Sequence, residues 1–413
     1  MAVDSASSAR AAPENATMSD ATRRLVILGS TGSIGTSTIA VVRHLNALRA
    51  REGKPPRFTI VGLAAHANAD LVREQAREFG VHRTALAQGS NGDFTHVGPN
   101  SALQLVEDVA RPGDIVMGAM VGAAGLPATL AAIERGCDIA LANKETLVAA
   151  GSIVMPAARA KGVTLLPVDS EHSAIAQCLR AGTAPREVRR LVITASGGPF
   201  RTWPIERMRT AGPADALKHP TWSMGQKITI DSASMMNKAL EVIEAHWLFD
   251  LPAEKIDAII HPQSIVHSFV EYVDGSTIAQ LSPPDMKLPI QCALTWPERL
   301  EGCSPAMPWS TLRGLDFEPV DHERFPAIGL AWQVIREGGT SGAVFNAANE
   351  IAVASFLRGE IPFLTISETV AEALATLRPR PVSTLDDVLE ADRQARTWTA
   401  TRLARTSRAI AHG

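Results

Sequence analysis

Over the first 168 residues, short apolar runs that break off at glycine alternate with stretches of helical periodicity. Residues 24–29 read as a buried strand, followed by a helix to about His44. Residues 58–65 form a second predicted strand and 69–79 a helix, and further strands fall at 115–117, 138–141 and 163–168, with helical segments such as 125–135 between them. This alternation predicts an α/β fold: a Rossmann-like parallel sheet with helices on both faces. From residue 169 the pattern changes. Strand-like runs at 190–194, 227–230, 258–260, 265–273 and 277–281 mix with one amphipathic helix. That helix is expected to start at Ser234 as its N-cap, with Met235, Leu240, Ile243 and Trp247 among its apolar positions. A Pro- and Trp-rich stretch follows, and then helices at 326–338, 343–357, 366–377 and 385–410. The predicted division is an extension (1–22), an α/β domain (23–168), an α+β domain (169–295), a linker (296–320) and a C-terminal helical domain (321–413).

Composition narrows the class. A chain of 413 residues is too long for one ordinary core, and 46% hydrophobic with 20% charged residues is globular. A net charge of −3 leaves no basic footprint for nucleic acid. Cys137, Cys178, Cys292 and Cys303 are scattered without ligand spacing, as expected for reduced thiols of a cytoplasmic protein. No run is long and apolar enough to span a membrane. Residues 1–22 lack an apolar segment and carry Asp4, Glu14 and Asp20, so neither a secretory signal nor a transit peptide is expected. A disordered extension is, with Met18 as an alternative start.

Five constellations carry candidate chemistry. Gly29-x-x-Gly32-x-x-Gly35 follows a strand and opens a helix, the context in which glycines let a backbone approach a pyrophosphate at a helix N-terminus. No acid for a ribose diol ends the second strand, which runs into His66-Ala67-Asn68 with Asp70 set back, and this favours NADP over NAD. Asp169 and Glu171 lie two apart after a strand. In an extended backbone both would face one way and, with Glu241, offer a hard oxygen site for Mg²⁺ or Mn²⁺; alternatively they cap the next helix. Asn237, Lys238 and Glu241 share a helix face, either as part of an anion and metal site or with Lys238 and Glu241 as a solvated pair. The Ser196-Gly197-Gly198 turn exposes a hydroxyl and backbone N–H groups. The loop from His219 through Trp222 and Met224 to Gly225 is either a lid or a surface loop anchored by its indole.

These segments, together with Leu-Ala-Asn143-Lys144-Glu145, Asp231-Ser-Ala-Ser, His261-Pro-Gln-Ser-Ile-Val-His267 and Phe345-Asn-Ala-Ala-Asn-Glu350, resemble the 1-deoxy-D-xylulose 5-phosphate reductoisomerase family in order from about Leu25 to the C-terminal helices. The resemblance implies conversion of 1-deoxy-D-xylulose 5-phosphate to 2-C-methyl-D-erythritol 4-phosphate in the non-mevalonate isoprenoid precursor pathway. It also implies NADPH, a divalent metal (Mg²⁺ or Mn²⁺, with Co²⁺ a further candidate), a V-shaped homodimer and inhibition by fosmidomycin-like phosphonohydroxamates. By motif, it places Thr31, Gly32, Ser33, Ile34, Asn68, Asn143, Glu145 and Gly225 on the cofactor. Asp169, Glu171 and Glu241 fall on the metal, Lys144 and Ser170 on the substrate, and Ser196, Ser232, Asn237 and Lys238 on its phosphate and neighbouring hydroxyls. His219, Trp222 and Met224 belong to the lid. Many members carry a basic residue where this chain has Ala67. Two other classes stand beside this one. A plain NADP-dependent dehydrogenase needs no three-carboxylate site, and a nucleotide-sensing protein needs neither metal nor phosphate residues.

Overall fold

The computed structural model describes residues 21–89, 92–222 and 224–412. All but the last two residues of the predicted extension lie outside them. The first part of the chain runs β1 (Arg23–Leu28), α1 (Ser33–Arg51), β2 (Phe58–Ala65), α2 (Ala69–Phe79), β3 (Thr84–Leu86), β4 (His96–Val97), α3 (Ser101–Val109), β5 (Ile115–Gly118), α4 (Leu126–Glu134), β6 (Asp138–Leu141), α5 (Lys144–Lys161) and β7 (Leu165–Pro167). These seven strands pair in parallel in the order β4-β3-β2-β1-β5-β6-β7. The period of two along β1 divides it between two cores. Leu25 and Ile27 pack with Val42 and Leu63 on one face, and Val26 and Leu28 with Leu105 and Val116 on the other. Strand order reverses between β1 and β5, which opens a crevice at their carboxyl ends, the position where such sheets take ligands.

The chain continues through α6 (Ser170–Cys178), β8 (Val188–Ala195), the short helices α7 (Ile205–Met208) and α8 (Pro213–Ala216), α9 (Gln226–Ala233), α10 (Met236–Phe249), β9 (Ile256–Ile260), β10 (Val266–Tyr272), β11 (Thr277–Leu281), α11 (Lys287–Thr295) and β12 (Glu318–Pro319). The second sheet has the order β11-β10-β8-β9-β12, with β8 and β9 parallel and the other pairs antiparallel. Helices α12 (Ala327–Glu337), α13 (Ser341–Leu357), α14 (Thr365–Thr376) and α15 (Leu385–His412) complete the fold. One core joins this sheet, α10 and the C-terminal helices, from Leu191 and Ile243 to Phe345 and Phe356. Helix α13 also crosses α5 in direct contact: a side chain at Gly342 would collide with the Val148 carbonyl.

Two local expectations are corrected. Residues 227–230 are not a strand but part of α9. The β-branched run Ile228-Thr229-Ile230 imitates strand alternation, yet Thr229, Ile230 and Ala233 are buried at helical spacing, and Thr229 Oγ1 donates to the Gly225 carbonyl at 2.9 Å. Ser234 is not an N-cap either. It closes α9, donating from Oγ to the Ile230 carbonyl at 3.0 Å, and Met235, with φ of 62°, turns the chain into α10.

Candidate active site

Three helix N-termini converge beside the crevice. Helix α5 brings Lys144, α6 brings Asp169 as its N-cap with Ser170 and Glu171, and the first turns of α10 bring Asn237, Lys238 and Glu241. The backbone at Asp169–Glu171 is thus a helix start rather than an extended strand, because Asp169 Oδ1 accepts from the N–H groups of Glu171 (3.0 Å) and His172 (3.2 Å). Its other oxygen turns the opposite way, 2.6 Å from Lys144 Nζ. One carboxylate therefore caps the helix and faces the cluster at once. Carboxylate oxygens of Asp169, Glu171 and Glu241 all lie within 4.8 Å of one another.

The cluster is buried and two ammonium groups stand in it. Lys144 Nζ is 2.6 Å from Glu241 Oε1 and 3.0 Å from Asn237 Oδ1. Lys238 pairs with Glu241 and lies 3.5 Å from Glu171. With Lys238 4% and Glu241 1% exposed, the solvated-pair reading fails. Burial pushes the Glu171 carboxyl up to about 7, against the pull of Lys238. Burial opposes ionisation of Asp169, but Lys144, His172 and Lys238 together outweigh it and hold its carboxyl well below the usual range. Three oxygen-only groups converging on cations, with no sulfur or imidazole in the set, fit a hard divalent metal such as Mg²⁺ or Mn²⁺. The ammonium of Lys144 already stands among the oxygens such an ion would use.

Next to the cluster is a hydroxyl-rich end. His219 Nδ1 accepts from the N–H groups of Trp222 (2.8 Å) and Thr221 (3.1 Å), and burial lowers the ring's pKa. In the neutral ring the proton then sits on Nε2, which lies 3.0 Å from Ser196 Oγ and 3.1 Å from Ser232 Oγ. Both hydroxyls can accept from the imidazole and keep their own protons for an anion. With Lys238 and Asn237 they make a donor-rich end, of a chemistry suited to an anion, in a cavity of about 610 Å³.

The crevice itself suits a dinucleotide phosphate. A Cβ on Gly29 or Gly35 would collide with backbone, at Ala119 and at Gly29 and Ser30 respectively. Gly32 is the N-cap of α1, with no side-chain cap and no acid in the first turn. The helix start thus remains open to an anion. The loop after β5 forms the facing wall and is held by Asn143, whose amide donates to the carbonyls of Met120 and Gly122.

Family models described as 1-deoxy-D-xylulose 5-phosphate reductoisomerase match residues 25–151, and models of its C-terminal domains match 165–249 and 281–398. The reductoisomerase of Geotalea uraniireducens is 49% identical over 384 residues, covering 91% of this chain and 97% of the relative. The chain belongs to the 1-deoxy-D-xylulose 5-phosphate reductoisomerase family. The Mycobacterium tuberculosis reductoisomerase is likewise 49% identical, across 91% of this chain and 90% of its own. Among solved structures, the Zymomonas mobilis reductoisomerase in complex with NADPH is 42% identical with a TM-score of 0.83, covering 92% of this chain and 98% of that one. A DOX-P reductoisomerase in complex with NADPH, fosmidomycin and magnesium is 38% identical, with a TM-score of 0.82 over the same shares.

Most residues singled out in the sequence line one cavity: Ser33, Ile34, Lys144, Asp169, Ser170, Glu171, Ser196, His219, Trp222, Met224, Gly225, Ser232, Asn237, Lys238 and Glu241. Five lie off it along the crevice. Thr31 and Gly32 are in the β1–α1 loop, and exposed Asn68 caps α2 by accepting from Leu71 N–H at 3.2 Å. Asn143 caps α5, and Glu145 follows it, 3.3 Å from Lys227. Sequence reasoning missed Thr221, Ile228, Ser264, Pro284, Met286 and Pro305, which also line the cavity. Ser264 was within reach, as the end of His261-Pro-Gln-Ser. The ring of His261 accepts from the N–H groups of Ile265 and Val266 and holds that turn, with Ser264 at φ of 51°. Nothing local marks the Pro284 and Met286 turn.

Proposed function

We propose that this cavity rearranges 1-deoxy-D-xylulose 5-phosphate and reduces the rearranged aldehyde to 2-C-methyl-D-erythritol 4-phosphate, with the residue roles set out below. The activity is that of the family, dependent on NADPH and a divalent metal, and belongs to the non-mevalonate isoprenoid precursor pathway. The observation that carries the assignment of roles is the placement of two buried carboxylates and a half-buried third beside a phosphate-sized set of hydroxyl, amide and ammonium groups. A cation held by Asp169, Glu171 and Glu241 supplies the Lewis acid for a carbonyl and its neighbouring hydroxyl, and NADPH supplies the hydride.

The remaining work falls to side chains of this chain. Asp169 is fixed by its cap, so its free oxygen is preorganised. Lys144 holds a proton at Nζ among the three carboxylates, within reach of a substrate hydroxyl, and Ser170 lines the same wall. Lys238, Asn237, Ser196 and Ser232 hold the phosphate, with His219 orienting the two serine hydroxyls. Those contacts, remote from the reacting carbons, orient the sugar skeleton. Trp222 and Met224 close over the site and exclude water. Thr31, Gly32, Ser33 and Ile34 take the dinucleotide phosphates at the start of α1, while Asn68, Asn143, Glu145 and Gly225 follow the rest of the cofactor. In this reading residues 23–168 are the NADPH-binding domain, 169–295 the catalytic domain and 321–413 the helical domain. The enzyme works in the cytoplasm as a homodimer, to be checked by light scattering of the purified protein. Among the described residues, no helix is long and apolar enough to cross a membrane.

The decisive assay is NADPH absorbance at about 340 nm with substrate and Mg²⁺, repeated with chelator and with NADH. Oxidation that requires both substrate and metal is expected, and the NADH rate reads out what Ala67 costs. No oxidation by folded, metal-loaded protein would overturn the assignment.

A further inference from the structure

The Asn346-Ala-Ala-Asn349-Glu350 segment of α13 has no part in the roles above, yet its polar face points at the cofactor crevice. Asn346, Asn349 and Glu350 stand at i, i+3 and i+4 and so share one side of the helix. Asn349 Nδ2 donates to Asp231 Oδ1 at 2.8 Å. The other oxygen of Asp231 is 2.8 Å from Lys227 Nζ, and Lys227 Nζ is 3.3 Å from Glu145 Oε1. This relay joins α13, α9 and α5, and ends on buried Glu145, two residues after the Asn143 that holds the crevice wall.

A second limb reaches the other wall. Glu350 accepts from Asn346 Nδ2 at 3.1 Å and pairs with Arg396 of α15. Its carboxylate lies 3.2 Å from where a Cβ on Gly122 would stand, in the loop that Asn143 also holds. Packing alone does not account for these amides. Asn346 and Asn349 are 0% exposed, and Oδ1 of each has no hydrogen-bond partner. A leucine, with the same number and branching of side-chain heavy atoms, would bury no unsatisfied carbonyl. What the amides hold is their explanation.

We infer that Asn349 is a positioning residue for the cofactor: through Asp231 it fixes Lys227, which fixes the Glu145 carboxylate facing the dinucleotide. The inference rests on the reading that Glu145 contacts NADPH. The test measures NADPH affinity by fluorescence titration of the full-length enzyme carrying Asn349→Leu, Lys227→Met, both together, or Glu145→Gln, with Mn²⁺ affinity as a control. Asn349→Leu and Lys227→Met are each expected to weaken NADPH binding about tenfold, with the double variant no weaker than the weaker single one. Lys227→Arg keeps the charge and is expected to retain affinity, and Mn²⁺ binding is expected to be unchanged throughout. Unaltered NADPH affinity in folded Asn349→Leu overturns the proposal, as do effects that add in full. Should Asn349→Leu fail to fold, Asn349→Ser removes the same donor with less bulk and is read in the same way. If Glu145→Gln binds NADPH normally, the reading of Glu145 falls and the relay with it. If Glu145→Gln is weakened and Asn349→Leu is not, only the relay falls.

Discussion

Replacing Glu241 by glutamine removes one charge from the centre of the cavity while keeping its volume. Glu241 is 1% exposed and meets Lys144 at 2.6 Å, Asn237 at 2.7 Å, and Lys238. Breaking a buried ion pair usually destabilises strongly, because the partner is left uncompensated. Here Asp169 and Glu171 still face the two lysines, 2.6 Å from Lys144 and 3.5 Å from Lys238, so neither ammonium is stranded. The loss of stability is therefore expected to be about 1–3 kcal/mol, the cost of weakened charged hydrogen bonds. The metal is expected to fare worse, since one of its three proposed anionic ligands becomes a neutral amide. A loss of roughly 3 kcal/mol, about a hundredfold in metal affinity, is expected. Affinity for NADPH, which is proposed to bind at the start of α1, should stay within about twofold. Three titrations decide this: Mn²⁺ by calorimetry, NADPH by fluorescence, and turnover by NADPH oxidation. Turnover close to wild type, or unchanged Mn²⁺ affinity, would refute the three-carboxylate metal site.

Lys238→Ala should raise the KM for the phosphorylated substrate by the equivalent of about 2 kcal/mol while leaving NADPH affinity unchanged; unaltered substrate affinity would remove Lys238 from the phosphate. Gly35→Ala would drive a methyl group into the Gly29 carbonyl and the Ser30 backbone, so NADPH binding should fall at least tenfold, measured by fluorescence. Normal binding by that variant would show that the loop relaxes and that the glycine is not needed for the cradle. Burial pushes the His267 imidazole down to about 4, below an unfolded value near 6.5. The folded state therefore disfavours the proton: His267's contribution to stability is fully present above pH ~6.5 and is lost as pH falls toward 4, by about 3 kcal/mol in all. Urea unfolding of His267→Gln from pH 7 to 4 should show a shallower loss than wild type, and equal slopes would discard the assignment.

Much of the fold was legible because its signals are local. The apolar runs at β1, β2, β5 and β6 stop at glycine or at a cap, and α2 was readable from end to end, with Asn68 at its start and Gly80, in the left-handed region, at its close. The β3 and β4 strands are too short, at 3 and 2 residues, to show a period. The α9–α10 junction was misread because it depends on a tertiary fact. Ile228, Thr229 and Ile230 look like a strand to any local rule, and only packing of Thr229 and Ile230 into the interior favours a helix. No residue type announces that Met235 takes a positive φ. The relay through Asp231 and Lys227 to Glu145 joins residues 82 and 118 positions apart, a separation that spacing rules do not bridge.

The candidate site shows a related limit. Asp169 could be read as a helix cap or as a metal ligand, and the alternatives are not exclusive, since one oxygen makes the cap and the other is left facing Lys144 and the carboxylate cluster. In the sequence Lys238 could be read as part of an anion site or as half of a solvated pair, and Lys144 was placed only by the resemblance; electrostatics explains why both are buried here. Three carboxylates within 4.8 Å repel one another by about 3 kcal/mol for each pair at an effective dielectric of ~20. The sum, near 10 kcal/mol, rivals the entire stability of a typical domain. A buried site of this kind is helped to fold without its ion by built-in cations, and the two ammoniums meet that need: with all three carboxyls ionised, these five groups carry one formal negative charge over. A divalent ion then turns the balance to one positive charge, beside the hydroxyls of Ser196 and Ser232 where a phosphate is proposed to sit. The same lysines that allow the fold to tolerate its metal-free state thus make the loaded cavity attractive to an anionic substrate.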